Sequence, residues 1–142
     1  MSCLFFFTTA ICAGESTNYQ RGTQGLTPFL VVVNNTGHHP LDCEITTAHW
    51  YSVPLGTVAA GATLSTGLWK NIASGEVFIL NSRRDHMPVQ RFWCGEPGRS
   101  WQTRYDVVIS THKDESPRSM TLDCAGGADA DAVQCRTAPS GL

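Results

Sequence analysis

Two adjacent histidines, an aspartate and a cysteine fall within residues 34–43, which read NNTGHHPLDC. Imidazole and thiolate are ligands that zinc and copper prefer, so this segment is a candidate metal site. Side chains alternate along a strand, however, so Asp42 and Cys43 would point to opposite faces and no compact ligand set follows. The Asn, Gly and Pro residues form turns without any metal. His38 and His39 are therefore weak metal candidates, and the segment is predicted to be a turn between two strands.

A second group of chemically capable side chains lies in residues 83–104, RRDHMPVQRFWCGEPGRSWQTR. This segment contains five of the eight arginines and two of the four tryptophans. Arginine and aromatic residues are enriched among the residues that dominate protein interfaces. The predicted partner-binding residues are Arg83, Arg84, Arg91, Trp93, Arg99, Trp101 and Arg104. The alternative is that both tryptophans fill the core and the arginines line a solvated face.

Aromatic side chains also suggest a second kind of binding. Ring faces pack against apolar surfaces, including those of sugars, and the candidates are Trp50, Tyr51, Trp69, Trp93 and Trp101. Their spacing forms no repeated platform. The sequence thus predicts a protein-interaction module, with a ligand-binding module for carbohydrate or a metal ion as the alternative.

Catalytic motifs are missing from the sequence. It has no G-x-S-x-G, no H-E-x-x-H, no glycine-rich phosphate loop and no dinucleotide fingerprint. Asp85 and His86 are adjacent, but adjacency in sequence does not orient an acid and a base in space. A non-catalytic protein without a cofactor is therefore expected, and a small enzyme is a further alternative, because the fold can bring a cysteine and a histidine together from distant positions.

Composition narrows the class of protein further. The chain has 142 residues, the size of one ordinary domain, and 42% of them are hydrophobic. The formal net charge is −2, so no general electrostatic field attracts nucleic acid or an anionic membrane. A folded domain that does not bind nucleic acid is expected.

The amino terminus resembles an export signal in its length and composition. Residues 4–13 form a ten-residue, mostly apolar run without a charge. A membrane span takes about 20 apolar residues, so no transmembrane segment is expected. The positive residues that usually precede the apolar part of a signal sequence are missing. The alternative is that residues 4–13 form a buried strand. We expect export, to the periplasm or out of the cell.

The cysteines agree with export. Removal of residues 1–14 would leave four, an even number typical of disulfides in an oxidising compartment: Cys43, Cys94, Cys124 and Cys135. The preferred pairing joins Cys43 with Cys94 across the core and Cys124 with Cys135 around a glycine-rich loop. Free buried thiols in a reducing compartment are the alternative. Zinc is disfavoured because no C-x-x-C pair occurs.

Short strand-like runs separated by Gly, Pro, Asn and Asp extend along the chain, and no amphipathic helix is indicated. About eight strands are predicted, in residues 29–34, 41–51, 53–69 (two strands), 76–81, 87–94, 101–110 and 119–124. This pattern predicts an all-β fold, an antiparallel β-sandwich over residues 28–124. Residues 1–14 are signal-like, 15–27 are peripheral, and 125–142 form a Gly/Ala-rich tail.

The predicted sandwich resembles an immunoglobulin domain in architecture only. Trp50 follows Cys43 by just seven residues, and the position two before Cys94 holds Phe92 rather than tyrosine. The sequence therefore does not predict a true immunoglobulin domain.

Overall fold

A computed structural model describes residues 20–126 and 132–139 of the chain. Nearly all of its regular structure is β, which confirms the predicted all-β class. The strands are β1 (Thr27–Asn35), β2 (Leu41–Thr47), β3 (Ser52–Val58), β4 (Thr63–Lys70), β5 (Val77–Leu80), β6 (His86–Gly95), β7 (Tyr105–Asp106), β8 (Met120–Ala125) and β9 (Gln134–Thr137). The signal-like segment 1–14 lies outside the described residues. Within the described ranges, no helix is long and apolar enough to cross a membrane.

The nine strands of the described residues belong to one hydrogen-bonded sheet, and eight of them form a single path. Neighbours follow the order β3–β2–β6–β5–β4–β1–β8–β9, and β7 pairs with β6. Every pair is antiparallel except β1 with β8, so the sheet is mixed rather than purely antiparallel. The first residues of β6 pair with β5, and its later residues pair with β2 and β7. Because β6 is shared, it joins the strands β3, β2 and β7 to the strands β5, β4, β1, β8 and β9. The described strands therefore form no separate second sheet.

A single hydrophobic core is built by strands that are not neighbours in this path. Three strands separate β1 from β2, yet Val31 and Val33 of β1 lie in the same buried cluster as Cys43 and Ile45 of β2. Every second residue of β2 is buried, as expected for a strand with one face toward a core. The path must fold over itself to bring β1 and β2 together, which is how strands pack in a sandwich.

The connection between β1 and β2 contains the two adjacent histidines, and it is held by a buried asparagine. Asn35 is 1% exposed, and its side-chain amide donates to the carbonyls of His39 (2.7 Å) and Val58 (2.9 Å). Its side-chain oxygen accepts a hydrogen bond from the Gly37 N–H at 3.0 Å. The segment therefore forms the connection between strands that the sequence predicts, and hydrogen bonds of Asn35 determine its shape.

Two predicted strands are shorter in the structure. β2 ends at Thr47 rather than at residue 51, because His49 and Trp50 adopt φ values of 68° and 65° in a short 3₁₀ turn. Positive φ values interrupt a strand, and the alternating sequence pattern did not indicate them. The predicted strand 101–110 is reduced to the two residues of β7. Conversely, β9 lies in the segment that was predicted to be a tail.

Both predicted cysteine pairs are at disulfide distance, with S–S separations of 2.03 Å for Cys43–Cys94 and for Cys124–Cys135. Each pair joins directly opposed residues of neighbouring antiparallel strands. The expectation that the first pair links strands across the core is wrong, because β2 and β6 lie side by side. The first disulfide thus fixes β2 against β6, and the second fixes β9 at the sheet edge.

The core also contains an ionisable side chain. Lys70 is 1% exposed, and its Nζ has no hydrogen-bond partner among the described residues. Burial of an unpaired polar or charged group is costly, while methionine has a similar length and no charge. We expect Lys70→Met to raise the free energy of unfolding by about 1–3 kcal/mol, measured by urea denaturation.

The exposed Lys113 provides the matched control for this prediction. Lys113→Met should change stability by no more than about 0.5 kcal/mol. A clear loss of stability in Lys70→Met would show that the buried ammonium group is stabilised by its surroundings.

Candidate binding face

The candidate site lies on the side of β2 and β6 that points away from the core. In the register of these strands, Glu44 is opposite Trp93 and Thr46 is opposite Arg91, while Thr46 also faces Ser52 of the edge strand β3. Since Cys43 and Ile45 point inward, the alternating residues of β2 point outward. We call this surface, together with the side chains of Trp50, Gln90, Trp101, Arg104 and Asp106, the tryptophan–arginine face.

A β-bulge shapes the middle of this face. The register between β2 and β6 shifts between Thr46 and Thr47, so that Thr46 pairs with Arg91 but Thr47 pairs with Val89. Gln90 is the extra residue, and both Gln90 and Arg91 are exposed. Two adjacent polar side chains therefore reach the same surface, which regular alternation would forbid.

Trp101 is the most firmly held exposed aromatic residue of the face. Its ring meets Trp93 edge to face, with centroids 5.4 Å apart and planes at 84°. The guanidinium carbon of Arg104 lies 3.9 Å from the Trp101 ring centroid, and that of Arg91 lies 5.3 Å away. Arg104 also donates a 2.8 Å hydrogen bond to the Trp101 carbonyl. Trp101 is nevertheless 49% exposed, so Arg104 covers one face of the ring while part of the side chain remains open to solvent.

The charges of the face are matched. Asp106 lies 3.3 Å from Arg104 Nε and 3.8 Å from Arg91 Nη1, distances that give ion pairs without hydrogen-bond geometry. Glu44 supplies a second carboxylate and accepts a 3.2 Å hydrogen bond from the Ser100 hydroxyl. Exposed ion pairs contribute little stability, so their main effect here is to restrict the positions of the two guanidinium groups.

The loop that carries Trp101 is organised by Thr103. The Thr103 side chain is 2% exposed; its hydroxyl accepts a hydrogen bond from the Glu96 N–H at 2.8 Å and donates to the Arg99 carbonyl at 2.7 Å. The Thr103 carbonyl in turn accepts from the Val133 N–H at 2.7 Å. Sequence reasoning missed Thr103, because a threonine in a polar turn gives no signal of such bonding.

Trp50 provides the second exposed ring. It is 89% exposed and follows His49 in the left-handed turn after β2. A cleft of about 650 Å³ lies between this turn and Trp101. Its lining consists of two exposed tryptophans, one buried tryptophan and five polar side chains: Trp50, Trp101, Trp93, Glu44, Thr46, Ser52, Gln90 and Arg91.

The structure brings together only part of the predicted partner-binding set. Arg91, Trp93, Trp101 and Arg104 meet on the tryptophan–arginine face, although Trp93 is only 3% exposed and is not available as an anchor. Arg99 lies in the adjoining turn, paired with the carboxylate of Glu96 at 2.7 Å.

Arg83 and Arg84 lie elsewhere, in the exposed turn between β5 and β6. The neighbouring Asp85 binds Asn81 and Arg21. The Asn81 hydrogen bond, with the charge and hydrogen bond of Arg21, holds the pKa of Asp85 below its usual value. The predicted surface is therefore divided, and this turn is a separate region.

Asp85 and His86 are not aligned as an acid–base pair. The Asp85 carboxylate is occupied by Asn81 and Arg21, whereas His86 Nε2 lies 2.6 Å from the Gly22 carbonyl. His38 and His39 are exposed on the β1–β2 connection. Among residues 20–126 and 132–139, no group of three or more His, Cys, Asp or Glu side chains is placed to hold a metal ion.

Comparison of the sequence with protein-family models and with curated proteins found no match. The function of this protein is therefore inferred from the geometry of the tryptophan–arginine face.

Proposed function

We propose that this protein is an exported, non-catalytic binding module whose ligand is a carbohydrate bound on the tryptophan–arginine face. One observation supports this most strongly: two exposed tryptophan rings, Trp50 and Trp101, line one cleft whose other exposed lining residues are all polar. A volume of about 650 Å³ lies within the range of clefts that bind small ligands.

This combination of side chains matches the chemistry of sugars. A pyranose ring has an apolar C–H face, which packs against an aromatic ring, and a rim of hydroxyl groups that both donate and accept hydrogen bonds. Gln90 offers a donor and an acceptor, Arg91 offers donors, and Glu44 offers acceptors. The cleft therefore supplies both kinds of contact side by side.

The lining also favours binding over hydrolysis. Glycoside hydrolysis usually needs two carboxyl groups on either side of the scissile bond. Glu44 is the single carboxylate among the described residues that line the cleft. A non-catalytic role follows for this site.

A protein partner, the class first expected from the sequence, is the second candidate. It is favoured by the contacts that orient Trp101 against Arg91 and Arg104, because pre-oriented Trp and Arg side chains are typical interface anchors. A standard interface takes about 800 Å² from each partner. Separation of Arg83 and Arg84 from the face, and burial of Trp93, reduce the surface that would serve it.

Export is supported by the two cysteine pairs at disulfide distance, since such bonds persist in oxidising compartments. Nucleic acid is an unsuitable ligand for this face, because the carboxylates of Asp106 and Glu44 balance the two positive charges of Arg91 and Arg104. We therefore place the ligand outside the cytoplasm, in the periplasm or the extracellular space.

An array of purified glycans tests the proposed function. We expect the protein to bind a subset of these glycans, and Trp101→Ala and Trp50→Ala each to weaken binding by about 10- to 30-fold, as loss of an anchor side chain does. Affinities would be measured by calorimetry on the best glycan. Trp50 is 89% exposed, so Trp50→Ala should keep the urea-unfolding midpoint of the parent protein, whereas Trp101→Ala uncovers Trp93 and should lower the midpoint modestly without unfolding the protein.

Leu30→Ala is the control variant, since Leu30 is 48% exposed on β1 and does not line the cleft. It should bind like the parent protein. Absence of specific glycan binding, or binding that survives Trp101→Ala unchanged, would contradict the proposal. A protein cross-linked through a photoreactive residue at Ser52 but not at position 30 would then favour the second candidate.

A further inference from the structure

The shape and charge of the cleft narrow the class of carbohydrate. We infer that the ligand is a neutral oligosaccharide segment of at least two sugar residues, lying along β2 with one residue against Trp101 and another against Trp50. This inference rests on the proposed function and concerns the same cleft.

The backbone positions of the two tryptophans favour more than one sugar. Trp101 packs on Trp93, which is opposite Glu44, whereas Trp50 lies beyond the end of β2 at Thr47. Glu44 and Thr47 are three residues apart, which corresponds to roughly 10 Å along a strand. The backbone positions that carry the two tryptophans are thus farther apart along β2 than the width of one pyranose ring, and we assign each tryptophan to a subsite of its own.

Polar side chains lie between these subsites. Thr46 is opposite Arg91 on one side and Ser52 on the other, and this row crosses the strands between the two tryptophans. The bulge adds Gln90 beside Arg91. Hydroxyl, amide and guanidinium groups are thus placed where the linkage and hydroxyl groups of a two-residue segment would lie.

The charged side chains of the face favour a neutral oligosaccharide. The two arginines share the single carboxylate of Asp106, and Glu44 supplies the second carboxylate, so the face carries no net positive charge to attract a uronate or sialate. Glu44 lines the cleft and opposes a second carboxylate placed beside it. Burial of an acidic sugar next to Glu44 would therefore cost affinity, while a neutral hydroxyl would gain a charge-assisted hydrogen bond.

Chain length and charge are tested with defined oligosaccharides of one to six residues. Two neutral series, β-linked glucose and β-linked N-acetylglucosamine, are compared with oligomers of a β-linked uronic acid by calorimetry at low salt. We expect at least one neutral series to gain about tenfold or more in affinity between one residue and three, and then to level off. The uronic acid series should bind at least about tenfold more weakly than the neutral oligomer of equal length.

Single variants separate the two subsites. Trp50→Ala and Trp101→Ala should each remove most of the gain with chain length, because one subsite remains in each variant. Glu44→Gln should improve binding of the uronic acid oligomers about threefold or more and weaken the neutral series by a smaller factor, because the charge-assisted hydrogen bond to a sugar hydroxyl is lost. Arg84→Ala, outside the face, should alter neither series.

The outcomes distinguish this inference from the proposed function. Trp101-dependent binding that prefers the uronic acid series, or that is as strong for a monosaccharide as for a trisaccharide, overturns the inference and leaves a carbohydrate-binding module. If none of the three oligosaccharide series binds, and no glycan on the array binds in a way that depends on Trp101, both the inference and the proposed function are overturned. Length-dependent binding of a neutral series that needs both tryptophans supports both.

Discussion

Replacement of Cys43 and Cys94 by alanine together is expected to lower the free energy of unfolding by about 3–5 kcal/mol. The two cysteines are 51 residues apart in sequence, and the loss of a cross-link of that length restores about 4 kcal/mol of entropy to the unfolded chain. Both side chains are essentially buried, so truncation also removes core packing. Urea denaturation under non-reducing conditions measures the change.

The second disulfide supplies the control. Cys124 and Cys135 are 11 residues apart, so their joint replacement should cost less, about 3 kcal/mol. It also releases β9 at the sheet edge rather than β2 and β6. Ligand binding should therefore persist in the Cys124/Cys135 variant at temperatures where the Cys43/Cys94 variant has lost it. Equal losses of stability and binding in the two variants would contradict the distinct roles assigned to the bonds.

Gly95→Ala is expected to disrupt the loop that carries Trp101 and to destabilise the protein by about 3 kcal/mol or more. A Cβ atom at residue 95 would lie 2.1 Å from the Ser100 carbonyl oxygen and 2.5 Å from its Cα. Both are backbone atoms, so the steric clash can be relieved only if the turn after β6 opens. The hydrogen bonds of Thr103 within this turn would be lost as well.

Near-ultraviolet circular dichroism and urea denaturation check this prediction, because Trp93 and Trp101 are held in a fixed edge-to-face pair. The matched control is Gly67→Ala in β4. An added Cβ there meets no atom within 4 Å, so its effect should be within about 0.5 kcal/mol. Similar effects of the two substitutions would show that the close approach of Ser100 to Gly95 does not occur in solution.

Local sequence patterns predicted much of the fold. A continuous apolar run identified β1, the polar turn before residue 87 identified most of β6, and alternation of apolar and polar residues identified the beginning of β2, because burial on one face of a strand imposes a period of two. The cysteine pairing was also predicted, from an even count and the inward direction of Cys43. Long-range features were not: the parallel pairing of β1 with β8 and the short β9 follow from packing between distant segments.

In the binding face, too, local sequence predicted some features, whereas others depend on packing between distant segments. Arg91, Trp101 and Arg104 were recognised because they lie in one short segment of sequence. Their association with Glu44 depends on the register of β2 against β6. The exposure of Gln90 beside Arg91 depends on a bulge, and alternation alone would have placed one of the two inward. Burial of Trp93 depends on contact with Trp101, which no periodicity encodes.

The most direct test of carbohydrate binding on the tryptophan–arginine face is an NMR titration that observes the indole N–H signals of the four tryptophans. Trp→Phe variants assign the signals, and the probe is the neutral oligosaccharide with the highest affinity. Binding on the tryptophan–arginine face predicts large shifts for Trp50 and Trp101, a smaller shift for the buried Trp93, and none for Trp69, which lies on β4 outside the cleft. Saturable shifts at Trp69 alone, or no shift of Trp50 and Trp101 with any oligosaccharide, would contradict carbohydrate binding on this face.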